Sequence, residues 1–190
     1  MSVDSRAETR LGPKGFVIWL TGLPAAGKST LAYNLKEKLV NGAGRYVEVL
    51  DGDEIRRGLS KDLGMSKQDR EEHAGRVAFL AKILARNGVI SIVALISPYR
   101  KSREEAREMI GKESFVEVYV RASLPTCESR DPKGLYAKAR RGEITNMTGI
   151  QDPYEEPENP DLVIDTEQST PEECAERAIK ELQNLGHLPR

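Results

Sequence analysis

The chain has 190 residues, of which 38% are hydrophobic and 31% are charged, and its formal net charge is −1. That length suits one domain, and the near-zero charge excludes a global basic field that would recruit nucleic acid or an acidic membrane surface. No apolar run approaches the roughly 20 residues that a membrane-spanning helix needs.

The start of the chain and its cysteines favour a cytoplasmic protein. Residues 1–14 are polar and lack the apolar segment of a signal peptide. We therefore predict a flexible N-terminal segment followed by one domain over residues 15–190. Cys127 and Cys174 show neither metal-site spacing nor a disulfide framework, which fits a reducing compartment.

Apolar, strand-like runs alternate with segments of helical periodicity along the chain. Strands are predicted at residues 16–20, 46–51, 89–96, 115–120 and 162–165. Helices are predicted at residues 31–40, 69–88, 102–111 and 170–186. Ser102 is the predicted N-cap of the third helix, with Glu105 as its capping-box partner. This alternation predicts an α/β fold with a mostly parallel sheet of about five strands and helices on both faces.

The stretch GLPAAGKST, residues 22–30, follows the first predicted strand and matches G-x-x-x-x-G-K-[ST]. Its glycines let backbone N–H groups curl towards an anion, and the following helix adds its positive dipole end. We expect Lys28 to be exposed and to reach the β- and γ-phosphates of a nucleotide, and Ser29 to bind Mg²⁺. The loop alone does not choose between GTPases, motor ATPases and small-molecule kinases. The motif predicts a P-loop NTPase-type three-layer sandwich. The predicted ATP contacts in the loop are Gly22, Leu23, Pro24, Ala25, Ala26, Gly27, Lys28, Ser29 and Thr30.

The stretch LDGDEIRRGL places acidic and basic side chains after the second predicted strand. Asp51 comes at the carboxyl end of that strand, where ligands of open α/β sheets bind. Asp53 and Arg56 are three residues apart and therefore share one helical face. An acid and a base facing the crevice suit a nucleophile and an anionic substrate, and the two aspartates can also serve as helix caps.

Residues 131–160 are rich in Gly, Pro, Lys, Arg and Asp, and a long irregular stretch of this kind is usually a functional loop. We predict a lid over about residues 131–150 that closes over the phosphates and excludes water. A solvated basic surface is the alternative interpretation. The basic residues of the predicted lid are Arg130, Lys133, Lys138, Arg140 and Arg141.

From Gly15 to about Leu185 the chain resembles adenylylsulfate (APS) kinases. The resemblance is carried by the P-loop and by DGDEIRRGL, DREEHAGR, ISPYR, RDPKGLYAKARRGEI and TGIQDPYEEPENPDLVID. The family transfers the γ-phosphoryl group of MgATP to the ribose 3′-hydroxyl of APS, giving 3′-phosphoadenylylsulfate (PAPS). The resemblance implies an ATP-dependent kinase of sulfate activation with ATP and APS as substrates. It also implies a homodimer, or fusion to or association with ATP sulfurylase.

The resemblance implies roles for individual residues. Lys28, Asp53 and Ser97 are the predicted catalytic residues, with direct in-line transfer favoured over a phosphoserine intermediate. Asp53 would deprotonate the 3′-hydroxyl, and Ser29 and Asp51 would hold Mg²⁺. The predicted lid contacts to ATP are Arg130 and Arg140. The predicted APS contacts are Asp53, Arg56, Met65, Arg70, His73, Ile96, Ser97, Pro98, Lys133, Leu135 and Met147.

Four residues depart from the family's usual substrate pocket. Met65 and Met147 stand where the family has two phenylalanines that sandwich the APS adenine, His73 where it commonly has Asn, and Gly75 where it has Arg. A thioether still packs against a purine, but ring stacking is lost. Two alternatives to APS kinase therefore stay open: a related P-loop kinase for another small anionic nucleotide or metabolite, and a non-catalytic nucleotide-binding domain of a bifunctional sulfate-activating chain.

Overall fold

A parallel sheet of five strands forms the centre of the computed structural model, which describes residues 14–189. The strands are β1 (Val17–Thr21), β2 (Val47–Asp51), β3 (Ile90–Ala94), β4 (Phe115–Arg121) and β5 (Leu162–Asp165). Their order is β2-β3-β1-β4-β5, and each neighbouring pair is parallel. The predicted α/β fold is confirmed. The predicted flexible segment lies, except for Lys14, outside the described residues.

Helices cover both faces of the sheet. They are α1 (Lys28–Ala43), α2 (Gly52–Arg57), α3 (Lys67–Arg86), α4 (Arg100–Ile110), α5 (Leu124–Arg130), α6 (Leu135–Arg140) and α7 (Pro171–Asn184), with a 3₁₀ turn at Lys112–Ser114. None of the helices within residues 14–189 has the length and apolar composition needed to cross a membrane.

The central strand β1 contributes to two hydrophobic cores because successive side chains of a strand point to opposite faces. Ile18 and Leu20 pack in the core that contains apolar residues of α1 and α7. Val17 and Trp19 pack in the core that contains alanines of α3 and α4. All five β1 residues are buried, as expected for a parallel strand with helices on both faces.

The start of α4 differs from the prediction. The helix begins at Arg100, with Tyr99 in extended conformation as its N-cap and no side-chain cap. Ser102 is therefore inside the helix, where it is buried and its Oγ has no hydrogen-bond partner among the described residues. Glu105 pairs with Lys101 (3.5 Å) instead of forming a capping box. The capping-box prediction was wrong because the same residue spacing also occurs within a first helical turn.

Two short helices, α5 and α6, were not predicted. Ser123 caps α5 by accepting a hydrogen bond from the Thr126 amide, and Pro125 lies in the first turn. Gly134 precedes α6 with φ 65°, a conformation that glycine adopts at little cost. Part of the segment predicted as irregular is therefore helical, which determines where its basic side chains point.

Candidate active site

A cavity of about 930 Å³ lies at the carboxyl ends of β1, β2 and β3, where parallel α/β sheets bind ligands. The P-loop residues Pro24, Ala25, Gly27, Lys28, Ser29 and Thr30 line it, whereas Gly22, Leu23 and Ala26 do not. Every residue predicted to contact APS also lines it: Asp53, Arg56, Met65, Arg70, His73, Ile96, Ser97, Pro98, Lys133, Leu135 and Met147. The two predicted binding sites therefore share one cavity.

The P-loop has the tight backbone that its glycines predict. A Cβ on Gly22 would lie 2.4 Å from the Val120 carbonyl oxygen, so no side chain fits there. Lys28 is buried, and its Nζ donates to the carbonyl oxygens of Gly22 (3.0 Å) and Leu23 (2.6 Å). The prediction that Lys28 is exposed was therefore wrong, because the side chain folds back over the loop. Burial lowers the pKa of Lys28 to about 8.

Two oxygen donors meet beside the P-loop. Ser29 Oγ donates to Asp51 Oδ2 (2.6 Å), while Asp51 Oδ1 accepts from the Asp53 amide (2.9 Å) and caps α2. A hydroxyl and a carboxylate are ligands that Mg²⁺ accepts, together with water and substrate phosphates. No cluster of three or more His, Cys, Asp or Glu residues within 14–189 forms a metal cage. Ser29 and Asp51 thus fit a divalent ion that is also bound by a nucleotide.

The predicted base and a predicted lid residue are in contact. Asp53 lies in the first turn of α2, and its Oδ2 accepts a hydrogen bond from Lys133 Nζ. Both side chains are largely exposed, so the pair adds little to stability. Asp53 and Lys133 both line the cavity. The lysine side chain is long and flexible, so its ammonium group can also reach an anionic ligand.

Arg70 joins the two segments that carry Met65 and Met147, the residues at the family's two phenylalanine positions. Its Nε donates to the Met65 carbonyl oxygen (3.0 Å) and its Nη2 to the Asn146 carbonyl oxygen (2.7 Å). The two methionines are not equivalent, since Met65 is 50% exposed and Met147 only 6%. Met147 packs in the core that contains α1 and α7. Both methionines line the cavity, but one side chain is exposed and the other is buried.

His73 lines the cavity and is otherwise buried. Its Nδ1 lies 2.9 Å from Ser60 Oγ, and its Nε2 has no hydrogen-bond partner among the residues described. Burial, reinforced by the nearby Arg56, lowers the pKa of His73 to about 4, so the imidazole is neutral at pH 7. Gly75, which the sequence placed in the same pocket, does not line the cavity.

The depressed pKa of His73 predicts a loss of stability in acid. The unfolded chain takes up a proton below about pH 6.5, whereas folded His73 resists protonation until about pH 4. Stability present at pH 7 is therefore lost as the pH falls, by up to about 1.4 kcal/mol per pH unit. His73→Asn should lose less free energy of unfolding than wild type between pH 7 and 5, measured by urea denaturation. Equal losses would contradict the shift.

The lid directs only part of its basic charge into the cavity. Arg130 and Lys133 line it, but Lys138, Arg140 and Arg141 do not. Helix α6 buries Tyr136 and Ala139, and Lys138, Arg140 and Arg141 are exposed. Arg140 Nη2 pairs with Glu128 (2.5 Å), and Arg141 pairs with Glu143. The predicted ATP contact of Arg140 is therefore not in place at the cavity.

Sequence reasoning missed the cavity wall that follows β5. Thr166 lines the cavity and accepts from Arg130 Nη1 (3.0 Å), while its own hydroxyl donates to the Ala26 carbonyl oxygen (2.9 Å). The rule that placed Asp51 also applies to Thr166, the residue after the fifth strand. Other missed residues of this wall are Glu167, Ser169, Pro171 and Cys174.

Sequence comparison gives a family match over most of the chain. The chain matches the adenylylsulphate kinase family over residues 14–165. An adenylyl-sulfate kinase of Halothermothrix orenii is 51% identical, covering 92% of this chain and 93% of its own length. A probable adenylyl-sulfate kinase of Pyrococcus abyssi is 54% identical, covering 93% of this chain and 99% of its own. A probable bifunctional SAT/APS kinase of Sorangium cellulosum is 49% identical over 93% of this chain and 30% of its own.

Solved structures agree with the sequence comparison. The APS kinase of Mycobacterium tuberculosis, in complex with AMPPNP and APS, has a TM-score of 0.87 and 44% identity, covering 90% of this chain and 99% of that chain. A hexameric APS kinase from Thiobacillus denitrificans has a TM-score of 0.71 and 35% identity, covering 93% of this chain and 30% of that chain.

Proposed function

The chain belongs to the adenylylsulfate kinase family, and from this premise we infer that it transfers the γ-phosphoryl group of ATP to the 3′-hydroxyl of APS, giving PAPS. The observation that carries the inference is the shared cavity, which the P-loop and the paired Ser29 and Asp51 line together with Asp53, Arg56 and Arg70. The related Mycobacterium tuberculosis protein holds an ATP analogue together with APS.

The cavity residues divide the chemistry between them. The 3′-oxygen of APS bonds to the γ-phosphorus while the bond to the β,γ-bridging oxygen breaks, and ADP leaves. Asp53 takes the proton of the 3′-hydroxyl, and Lys28 neutralises charge on the phosphates. Mg²⁺, held through Ser29 and Asp51 with the nucleotide, would supply further neutralisation of the phosphates.

The substrate side is supported by cations. Arg56 and Arg70 present guanidinium groups, which match tetrahedral oxyanions, to the same cavity. Lys133 can exchange its contact with Asp53 for an anionic group of a ligand. Ser97 lines the cavity, and its Oγ accepts a hydrogen bond from the buried Trp19 indole (3.1 Å). That hydrogen bond engages a lone pair that the oxygen would need as a nucleophile, so we assign Ser97 to the cavity wall and not to phosphoryl transfer. This contact favours direct in-line transfer over a phosphoserine intermediate.

Acceptor identity is the point to test first. ATP consumption by the purified chain should rise on addition of APS, with PAPS as the product, and stay near its basal rate with other nucleotides and small anionic metabolites. A different acceptor that is turned over faster than APS would favour the alternative of a related kinase. The pocket would explain that outcome, because Met65, Met147 and His73 replace the family's usual residues there.

Met65→Phe is expected to tighten APS binding. Base–aromatic stacking is worth about 1–3 kcal/mol, and the thioether contact that it replaces about 0.3–1.5 kcal/mol, so the middle of the two ranges gives a net gain of about 1 kcal/mol. Calorimetric titration with APS measures it, and the affinity for an ATP analogue should not change.

Met147→Phe introduces the same ring at the buried methionine and is compared with Met65→Phe. Because Met147 is 6% exposed, a ring there should overpack the core and lower the free energy of unfolding by about 1–3 kcal/mol. Weaker APS binding in Met65→Phe would show that the pocket is shaped around its methionine. It would count against APS as the natural acceptor.

Chain organisation is proposed on the same premise. We propose that residues 15–190 form one kinase domain with a lid over about 131–150, and that the domain works in the cytoplasm. A bifunctional relative and a hexameric relative support self-association or association with ATP sulfurylase. Sedimentation of the purified chain, alone and with ATP sulfurylase, tests both.

A further inference from the structure

The turn that follows β3, residues 96–98, lines the cavity and has an unusual backbone. Ser97 has a φ of 37°, in the left-handed region that residues with a side chain seldom adopt. Such a conformation persists only where the surrounding structure holds it. We call residues 96–98 the acceptor turn, because the proposed function places them against APS.

Three buried donors hold the acceptor turn. Thr21 Oγ1 donates to the Ile96 carbonyl oxygen (2.8 Å), and Trp19 Nε1 donates to Ser97 Oγ (3.1 Å). Arg103 Nη1 donates to the Ser97 carbonyl oxygen (2.7 Å). Thr21 and Trp19 belong to the central strand, whereas Arg103 is a buried charged residue of α4, 3% exposed. A buried guanidinium is costly unless its charge is paired and its donors are hydrogen-bonded.

The other two arms of the Arg103 guanidinium reach β4 and the segment after the lid. Nε donates to Glu117 Oε1 (2.7 Å), and Nη2 donates to the Glu155 carbonyl oxygen (2.7 Å). Glu117 is itself nearly buried and balances the charge. One rigid, planar group therefore fixes three distant parts of the chain relative to one another.

Residues 153–158, which we call the strap, lead from the lid towards β5 along the acceptor turn. The Glu155 amide donates to the Pro98 carbonyl oxygen (2.8 Å), and the Glu155 carboxylate accepts from the Arg100 amide (2.8 Å). The Tyr154 hydroxyl lies 3.0 Å from Thr21 Oγ1. The strap and the acceptor turn are therefore joined directly, and Arg103 donates to both.

We propose that Arg103 is a positioning residue for phosphoryl transfer, which holds the acceptor turn in register with the strap and hence with the end of the lid. Arg103 does not line the cavity, so it acts through the Ser97 and Glu155 carbonyl oxygens. This inference rests on the proposed function, because it assumes that the acceptor turn contacts APS. Lysine at this position keeps a charge beside Glu117, but its single nitrogen cannot span the three acceptors of the fork.

Arg103→Lys tests the proposal through the separate behaviour of the two substrates. Because a misplacement of about 1 Å can cost about 100-fold in rate, we expect kcat/KM for APS to fall by about 10- to 100-fold. Affinity and stoichiometry for a non-hydrolysable ATP analogue, measured by calorimetry, should stay at the wild-type values. A merely structural role would instead lower the stoichiometry and kcat together and leave the KM for APS unchanged.

Arg107→Lys is the matched control. Arg107 lies one turn later on α4 and shares Glu117 (3.4 Å), but it also donates to Asp161 (2.8 Å) and lies over the Phe115 ring, and no hydrogen bond from its guanidinium to the acceptor turn or the strap is found among the described residues. It should show wild-type kinetics with both substrates. If Arg103→Lys has the kinetics of Arg107→Lys, the proposal is wrong.

Glu117→Gln covers the case in which Arg103→Lys does not fold. The amide keeps an oxygen acceptor for Arg103 Nε but removes the negative charge that balances the buried guanidinium. The fork should therefore be held less firmly, and a loss in kcat/KM for APS that is smaller than in Arg103→Lys, but equally selective, is expected. Wild-type kinetics in Glu117→Gln would then contradict the proposal. A wild-type chain that does not phosphorylate APS would contradict the proposed function itself, whereas an active wild type with unaltered variants would contradict the positioning role alone.

Discussion

Lys28→Ala should lower the rate of phosphoryl transfer by about 10³-fold or more, the scale of the charge-stabilising contacts in phosphoryl-transfer sites. The ammonium lies inside the P-loop, 3.0 Å from the Gly22 carbonyl oxygen and 2.6 Å from that of Leu23. Phosphates bound by the loop would meet this charge directly, and burial gives it a low-dielectric surrounding in which its electrostatic effect is large. Its pKa of about 8 leaves it protonated at pH 7.

Lys36→Ala is the control for that variant. Lys36 belongs to the same helix, does not line the cavity and should retain wild-type turnover. Because Lys28 is buried, circular dichroism and thermal unfolding of Lys28→Ala must accompany the kinetics. Near-normal turnover in folded Lys28→Ala would remove the basis for placing ATP at the P-loop.

Asp53→Asn should lower kcat by about 10²–10⁴-fold, the range of general acid–base contributions, while ATP affinity changes little. A carboxylate that accepts a hydroxyl proton acts in the transition state, and an amide keeps its shape without its basicity. The lost ion pair with Lys133 lies at the surface and contributes little to folding. The effect should therefore be on the chemical step.

Glu54→Gln provides the comparison for Asp53→Asn, since Glu54 is the next residue of α2, exposed and outside the cavity. Single-turnover kinetics separate the chemical step from binding. If Asp53→Asn weakens ATP or APS binding but leaves kcat unchanged, Asp53 is a substrate or metal contact, and another group must accept the proton.

Local sequence pattern accounts for the strands and the P-loop. The run VIWLT is apolar at nearly every position and forms a strand buried on both faces. Helices cover both faces of a parallel sheet, so a central strand needs apolar side chains on both of its sides. The P-loop conformation follows from Gly22 and Gly27, whose backbone angles exclude or disfavour other residues. Since the carboxyl ends of parallel strands meet at one edge, the placement of Asp51 and Asp53 beside the P-loop followed as well.

The orientation of side chains in the lid and around the APS side of the cavity depends on packing between segments that are distant in sequence. Arg140 turns outwards because α6 buries other residues, and α6 has too short a pattern to predict. Met147 is buried although its neighbours in sequence are polar. Arg103 donates to Glu117, 14 residues away, and to Glu155, 52 residues away. Contacts at such separations form only when the sheet and helices are assembled, because no local backbone preference brings those residues together.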